Sequence, residues 1–206
     1  MPPTSRWAGL RRGCGAAALA LALVPTAARG GVPEAGQRWP GPTITYANWL
    51  AGSDRWALGR AVRAWNRSGV AVRFRRAGPL APSDLAIAYQ AVPTPGLAQA
   101  QVGYTPFAPA RLELRPPSQR ESWQDRFVTA AVAAHELGHV LGLGHGPPCS
   151  VMAPNLGAWL GVTGECGAAP VGRWRCGLLA QGDVDRALAL YGGVARPLPR
   201  RQWCHR

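Results

Sequence analysis

The chain has 206 residues, enough for one domain with a sizeable core and little more. Apolar residues at 47% against 16% charged exclude an intrinsically disordered chain. The formal charge is +13 with no lysine, a bias that GC-rich coding produces; the arginines are scattered, and without a zinc-finger or RNP signature beside them no specific nucleic-acid partner is expected.

The first thirty residues read as a signal peptide. Arg6, Arg11 and Arg12 form a positive n-region, and residues 16–24 are an apolar run too short to span a bilayer. Small residues follow, with cleavage after Ala28 or Gly30. Secretion is therefore expected, and no later stretch reads as a transmembrane segment. Four cysteines remain beyond the leader: Cys149, Cys166, Cys176 and Cys204. An even count in an exported chain predicts two disulfides, with three connectivities open.

Residues 43–47 are β-branched and aromatic and read as a strand. Residues 53–67 read as a helix N-capped by Ser53, with Trp56, Leu58, Ala61, Val62 and Trp65 as its apolar stripe. Residues 70–74, 85–89 and 111–115 read as strands, and the Pro/Ala/Gln-rich stretch 91–110 as a long loop. Residues 122–125 have the pattern of a capping box, ahead of an apolar helix over 127–141 that Gly142 and Gly144 end. Residues 149–175 read as loop. A last helix is predicted over 182–191, where Asp183 and Asp185 favour the dipole of the first turn.

Residues 135–145 read His-Glu-Leu-Gly-His-Val-Leu-Gly-Leu-Gly-His. Four residues make just over one helical turn, a rise of about 6 Å, so His135 and His139 share a face and can hold one ion between them. Glu136 lies beside that pair without joining it, placed to act as a base on water. A positive φ at Gly142 would turn the chain and bring His145 back as third ligand. Three protein ligands leave a fourth position open, the mark of a catalytic zinc site.

This motif, followed by Cys149-Ser150-Val151-Met152-Ala153-Pro154, resembles the metzincin clan of zinc metalloproteases and, within it, the matrixins. Trp39-Pro40 ahead of residues 43–46, and the stretches 61–65, 84–87 and 183–192, add softer matches, so the resemblance runs over residues 38–192. It implies an α+β zincin domain: a twisted mixed sheet of about five strands, an active-site helix and two further helices. Residues 31–192 would form that domain, between the signal peptide 1–30 and a basic tail 193–206. The resemblance further implies one catalytic zinc, with calcium as an optional second ion, and a monomer that hydrolyses protein or peptide substrates with Glu136 as general base. Met152 would lie beneath the zinc. The strand over 111–115, with Leu112, Glu113 and Leu114, would border the substrate cleft by an exposed edge, and Pro154, Leu156 and Trp159 would wall the S1′ pocket.

The departures limit what is inherited. Gly30 stands where the family's inhibitory cysteine would be, so latency by a cysteine switch is not expected. Residues 91–110 contain no histidine, so no second zinc is expected there. Leu156 occupies the place of a tyrosine usual in matrixins. The competing expectation is a catalytically silent extracellular binding protein or adhesin on the same scaffold; the presence of Glu136 argues against it.

Overall fold

The computed structural model describes residues 36–92, 96–120, 125–160 and 177–197. Five strands, β1 (Thr43–Asn48), β2 (Arg73–Arg76), β3 (Leu85–Tyr89), β4 (Ala98–Ala100) and β5 (Ala110–Leu114), form one sheet in the order β2-β1-β3-β5-β4. The pairings of β1 with β2, β1 with β3 and β3 with β5 are parallel, and β4 alone runs antiparallel along β5. Helices α1 (Gly52–Arg67), α2 (Arg126–Val140), the single turn α3 (Leu156–Trp159) and α4 (Gln181–Tyr191) complete the α+β architecture that the resemblance implies.

Period-two alternation sorts the strand residues. Ile44, Tyr46, Phe74, Leu85, Ile87, Leu112 and Leu114 join the helices in one core, while Thr43, Arg73, Arg75 and Arg111 stand exposed on the opposite face. α1 contributes Ala57, Leu58, Ala61, Val62 and Trp65 to that core. α2 is buried from Val128 to Val140, on every side. Its run of small residues, Ala130, Ala131, Ala133, Ala134 and Gly138, lets neighbouring elements approach its axis closely. The Trp65 indole N–H reaches the Ala134 carbonyl of α2 at 2.9 Å.

The ends of α2 decide where the histidines stand. Asp125 caps the start, accepting from the Phe127 and Val128 amides; residues 122–124 of the expected capping box lie outside the described residues. At the other end the last carbonyls all find donors. His139 O accepts from the Gly103 amide (2.8 Å), Val140 O from the Trp39 indole (2.6 Å) and Leu141 O from the Tyr191 hydroxyl (2.8 Å).

Several local expectations are corrected. α1 starts at Gly52 behind Ala51, so Ser53 lies in its first turn and caps nothing. The second strand sits at 73–76 instead of 70–74: Val70 and Val72 are buried, but the ladder begins where Arg73 N meets Pro42 O. The loop 91–110 contains β4, an Ala-Gln-Ala segment with no intrinsic strand signal that exists by pairing with β5. The segment after 192 begins as part of the domain, since the amides of Val194 and Arg196 donate to the carbonyls of Gly69 and Ser68. No helix among the described residues is long and apolar enough to cross a membrane.

Candidate metal centre

His135, Glu136 and His139 are buried on the second half of α2. Gly142 takes φ +89, the left-handed conformation the motif requires, and the chain doubles back to His145. One potential ligand atom from each of His135, His139 and His145 lies within 4.8 Å of the other two. The ring centroids of His145 stand 5.4 Å from His135 and 4.9 Å from His139.

Backbone carbonyls set the state of two rings. His135 Nδ1 lies 2.6 Å from Val151 O, and His139 Nδ1 lies 2.8 Å from Leu143 O. A carbonyl only accepts, so each Nδ1 carries the proton and each Nε2 presents a bare lone pair. The two Nε2 atoms are 3.0 Å apart. Two lone pairs at that distance cannot satisfy each other; a cation shared between them does. The neutral imidazole set, completed by His145, fits zinc, with a fourth position left for a non-protein ligand.

Burial tunes the protonation of the site in the same sense. It drives His135 down to about 3, reinforced by the neighbouring His139 ring, and it lowers His139 and His145 from their ordinary value as well. All three rings thus favour the neutral form, the one able to ligate a metal. Glu136 lies about 100° around the helix from His135, and burial pushes its carboxyl up to about 8.

The turn carrying Met152 supports the site from the far side. Met152 is fully buried, and a Cβ on Gly138 would collide with its sulfur. Gly146 N donates to Met152 O at 2.7 Å, which ties the His145 segment to this turn. Val151, whose carbonyl holds His135, is itself held through its amide by the buried carboxylate of Asp183 at 3.0 Å.

The remaining candidates divide. Leu112 and Leu114 are core residues, and β5 is paired on both sides, so the expected free edge at 111–115 is absent. Glu113 points to the opposite face of the sheet, where its carboxylate accepts from Gln99 at 2.7 Å. The edge strands of the sheet are β2 and β4, and β4 is the one beside β5. Pro154 is exposed, and Leu156 packs partly buried against the core. Trp159 falls in α3, with its side chain outside the described residues, as are Cys166, Cys176 and Cys204. Sequence reasoning missed the carbonyls of Val151 and Leu143, which carry no side-chain signal. It also missed Asp183, read only as a dipole partner, although an acidic residue in the apolar stripe with Val184 and Ala187 is a visible sign of a buried role.

A family model described as matrixin matches residues 52–161, from the first residue of α1 to just beyond α3. No curated protein matches the chain. The family match covers more than half of the chain and includes the three histidines, whose cluster fits a zinc site, together with Glu136, Gly142 and Met152. The protein belongs to the matrixin family of metalloproteases.

Proposed function

We propose that the protein is a secreted zinc-dependent endopeptidase in which His135, His139 and His145 hold the metal and Glu136 is the general base. The observation that carries this reading is the convergence of three neutral imidazoles, two with tautomers fixed by carbonyls, beside a buried carboxylate on the same helix. Zinc, when bound, polarises the scissile carbonyl and makes water acidic enough to attack near neutral pH. Glu136 takes a proton from the attacking water and delivers it to the departing amine, so the carboxylate ends as it began. Burial strengthens this carboxylate as a base, and a cation bound beside it would favour the ionised form that accepts the proton.

An extended substrate would add to the sheet along β4, the edge strand beside β5, through backbone hydrogen bonds. Pro154 and Leu156, following the Met152 turn, would border the S1′ side. Export is supported by the positive, apolar and small-residue succession of residues 1–30. Disulfide formation is supported by the even number of cysteines beyond it.

The test is Glu136→Ala, assayed for zinc content and for cleavage of denatured casein and of a proteome-derived peptide library. The expected result is one zinc retained and proteolysis abolished. Undiminished cleavage by the variant overturns the role of Glu136. A zinc-loaded wild-type protein inert on every substrate overturns the protease reading in favour of a binding protein.

A further inference from the structure

His135 and His139 ride on a rigid helix, but His145 does not. It lies in a segment without regular secondary structure, with glycine at 142, 144 and 146. Such a segment gains little order from its own side chains, so something else must hold the third ligand in place. The contacts converge on α4. Arg186 Nη1 donates to Gly144 O at 3.1 Å and to His145 O at 3.3 Å, while Nη2 donates to Asp183 Oδ1 at 3.1 Å. Asp183 is fully buried, and its other oxygen accepts from the amides of Val151 and Ala180, each at 3.0 Å.

One carboxylate therefore anchors two segments of the site. Through Val151 it reaches the carbonyl that orients His135, and through Arg186 it reaches the backbone of His145. The guanidinium sits flush against that backbone: a Cβ at Gly146 would collide with Nη2 and Cζ of Arg186. A planar fork with fixed donor directions can bridge two carbonyls and a carboxylate at once, which an ammonium cannot do with the same geometry.

We propose that Arg186 is a positioning residue for the third zinc ligand: oriented by Asp183, it fixes the Gly144–His145 backbone and so the place of the His145 ring. This rests on the zinc-site reading above. Charge and geometry make opposite forecasts for it. Arg186 lies close enough to His139 to disfavour its protonation, and by the same repulsion it opposes a divalent cation. If charge ruled, removing Arg186 would tighten zinc binding. If positioning rules, removal weakens it.

The experiment compares the wild-type chain with Arg186→Met, Arg186→Lys and Gly146→Ala. Zinc affinity is measured by competition with a chromophoric chelator, and coordination by the visible absorption of the cobalt-loaded proteins. The expected result is at least a tenfold loss of zinc affinity in each variant, in the range that supporting residues of metal sites contribute, with cobalt bands altered from wild type. Unchanged or tighter zinc binding by a folded Arg186→Met overturns the proposal. Should that variant fail to fold, wild-type affinity and cobalt bands in both Arg186→Lys and Gly146→Ala overturn it. A wild-type chain that binds no zinc, or an unaffected His135→Ala control, overturns the zinc-site reading and this inference with it.

Discussion

The sulfur of Met152 packs on the bare Cα of Gly138, one residue before the candidate ligand His139. The Trp65 ring approaches the same Cα from α1, so this point of α2 is covered from two sides. A helix interior ordinarily favours alanine over glycine by about 1 kcal/mol. Here the missing methyl is what allows the Met152 turn to lie under the histidines. Gly138→Ala should therefore destabilise the protein, by roughly 1–3 kcal/mol through overpacking, against the helix-propensity gain. Urea unfolding measures this; a variant more stable than wild type would refute the packing account.

Metal removal should lower stability as well as activity. The converging Nε2 lone pairs of His135 and His139 are satisfied by a cation that the unfolded chain holds less well. Saturating zinc at one hundred times its dissociation constant should stabilise the fold by about 2.7 kcal/mol, and the melting temperature should keep rising with zinc concentration. A melting temperature indifferent to zinc and to chelator would contradict a site built on these atoms.

In chelator-treated protein, Glu136 should make stability depend on pH. Its folded-state value near 8 lies above the ordinary 4.5, so the folded chain binds more protons than the unfolded chain between those limits. Its contribution is fully present below pH 4.5 and is lost as pH rises through 8. Glu136→Gln removes the titration. The metal-free variant should match wild type near pH 4.5 and exceed it by an increasing margin toward pH 8, on the order of a few kcal/mol. A difference that is constant across the range would refute the assignment.

Asp54 is buried in the first turn of α1, where it accepts from Arg120 Nη1 at 2.7 Å and from the Tyr89 hydroxyl at 2.8 Å. Arg120 is itself only 11% exposed. Asp54→Ala leaves that guanidinium without its counter-charge and should cost about 3–5 kcal/mol of stability. Equilibrium unfolding measures it, and a loss below 1 kcal/mol would show that water replaces the carboxylate without penalty.

The readable part of the site was the part written in side chains on one helix. His135, Glu136 and His139 are spaced by helical geometry, and Gly142 has the one residue type that takes φ +89 without strain. The long strands were readable for the same reason: residues 85–89 alternate on a period of two, and the observed β3 covers that range. β4 was not, because three residues of Ala-Gln-Ala carry no pattern and acquire strand structure only from pairing with β5. Its appearance moved this edge of the sheet from β5 to β4, and with it the edge proposed to take a substrate.

By itself the sequence determined the candidate chemistry: the histidines that would hold the metal, the carboxylate proposed as base, and the turn that brings His145 back, since these depend on residue types at short, fixed separations. The tertiary structure decided how that chemistry is held. The Val151 and Leu143 carbonyls select the histidine tautomers, Asp183 and Arg186 tie α4 to the His145 segment, and β4 rather than β5 forms the edge. Backbone carbonyls have the same chemistry at every position, and the α4 residues lie 32 to 42 residues beyond the segments they anchor. Only folding turns such groups into a particular contact.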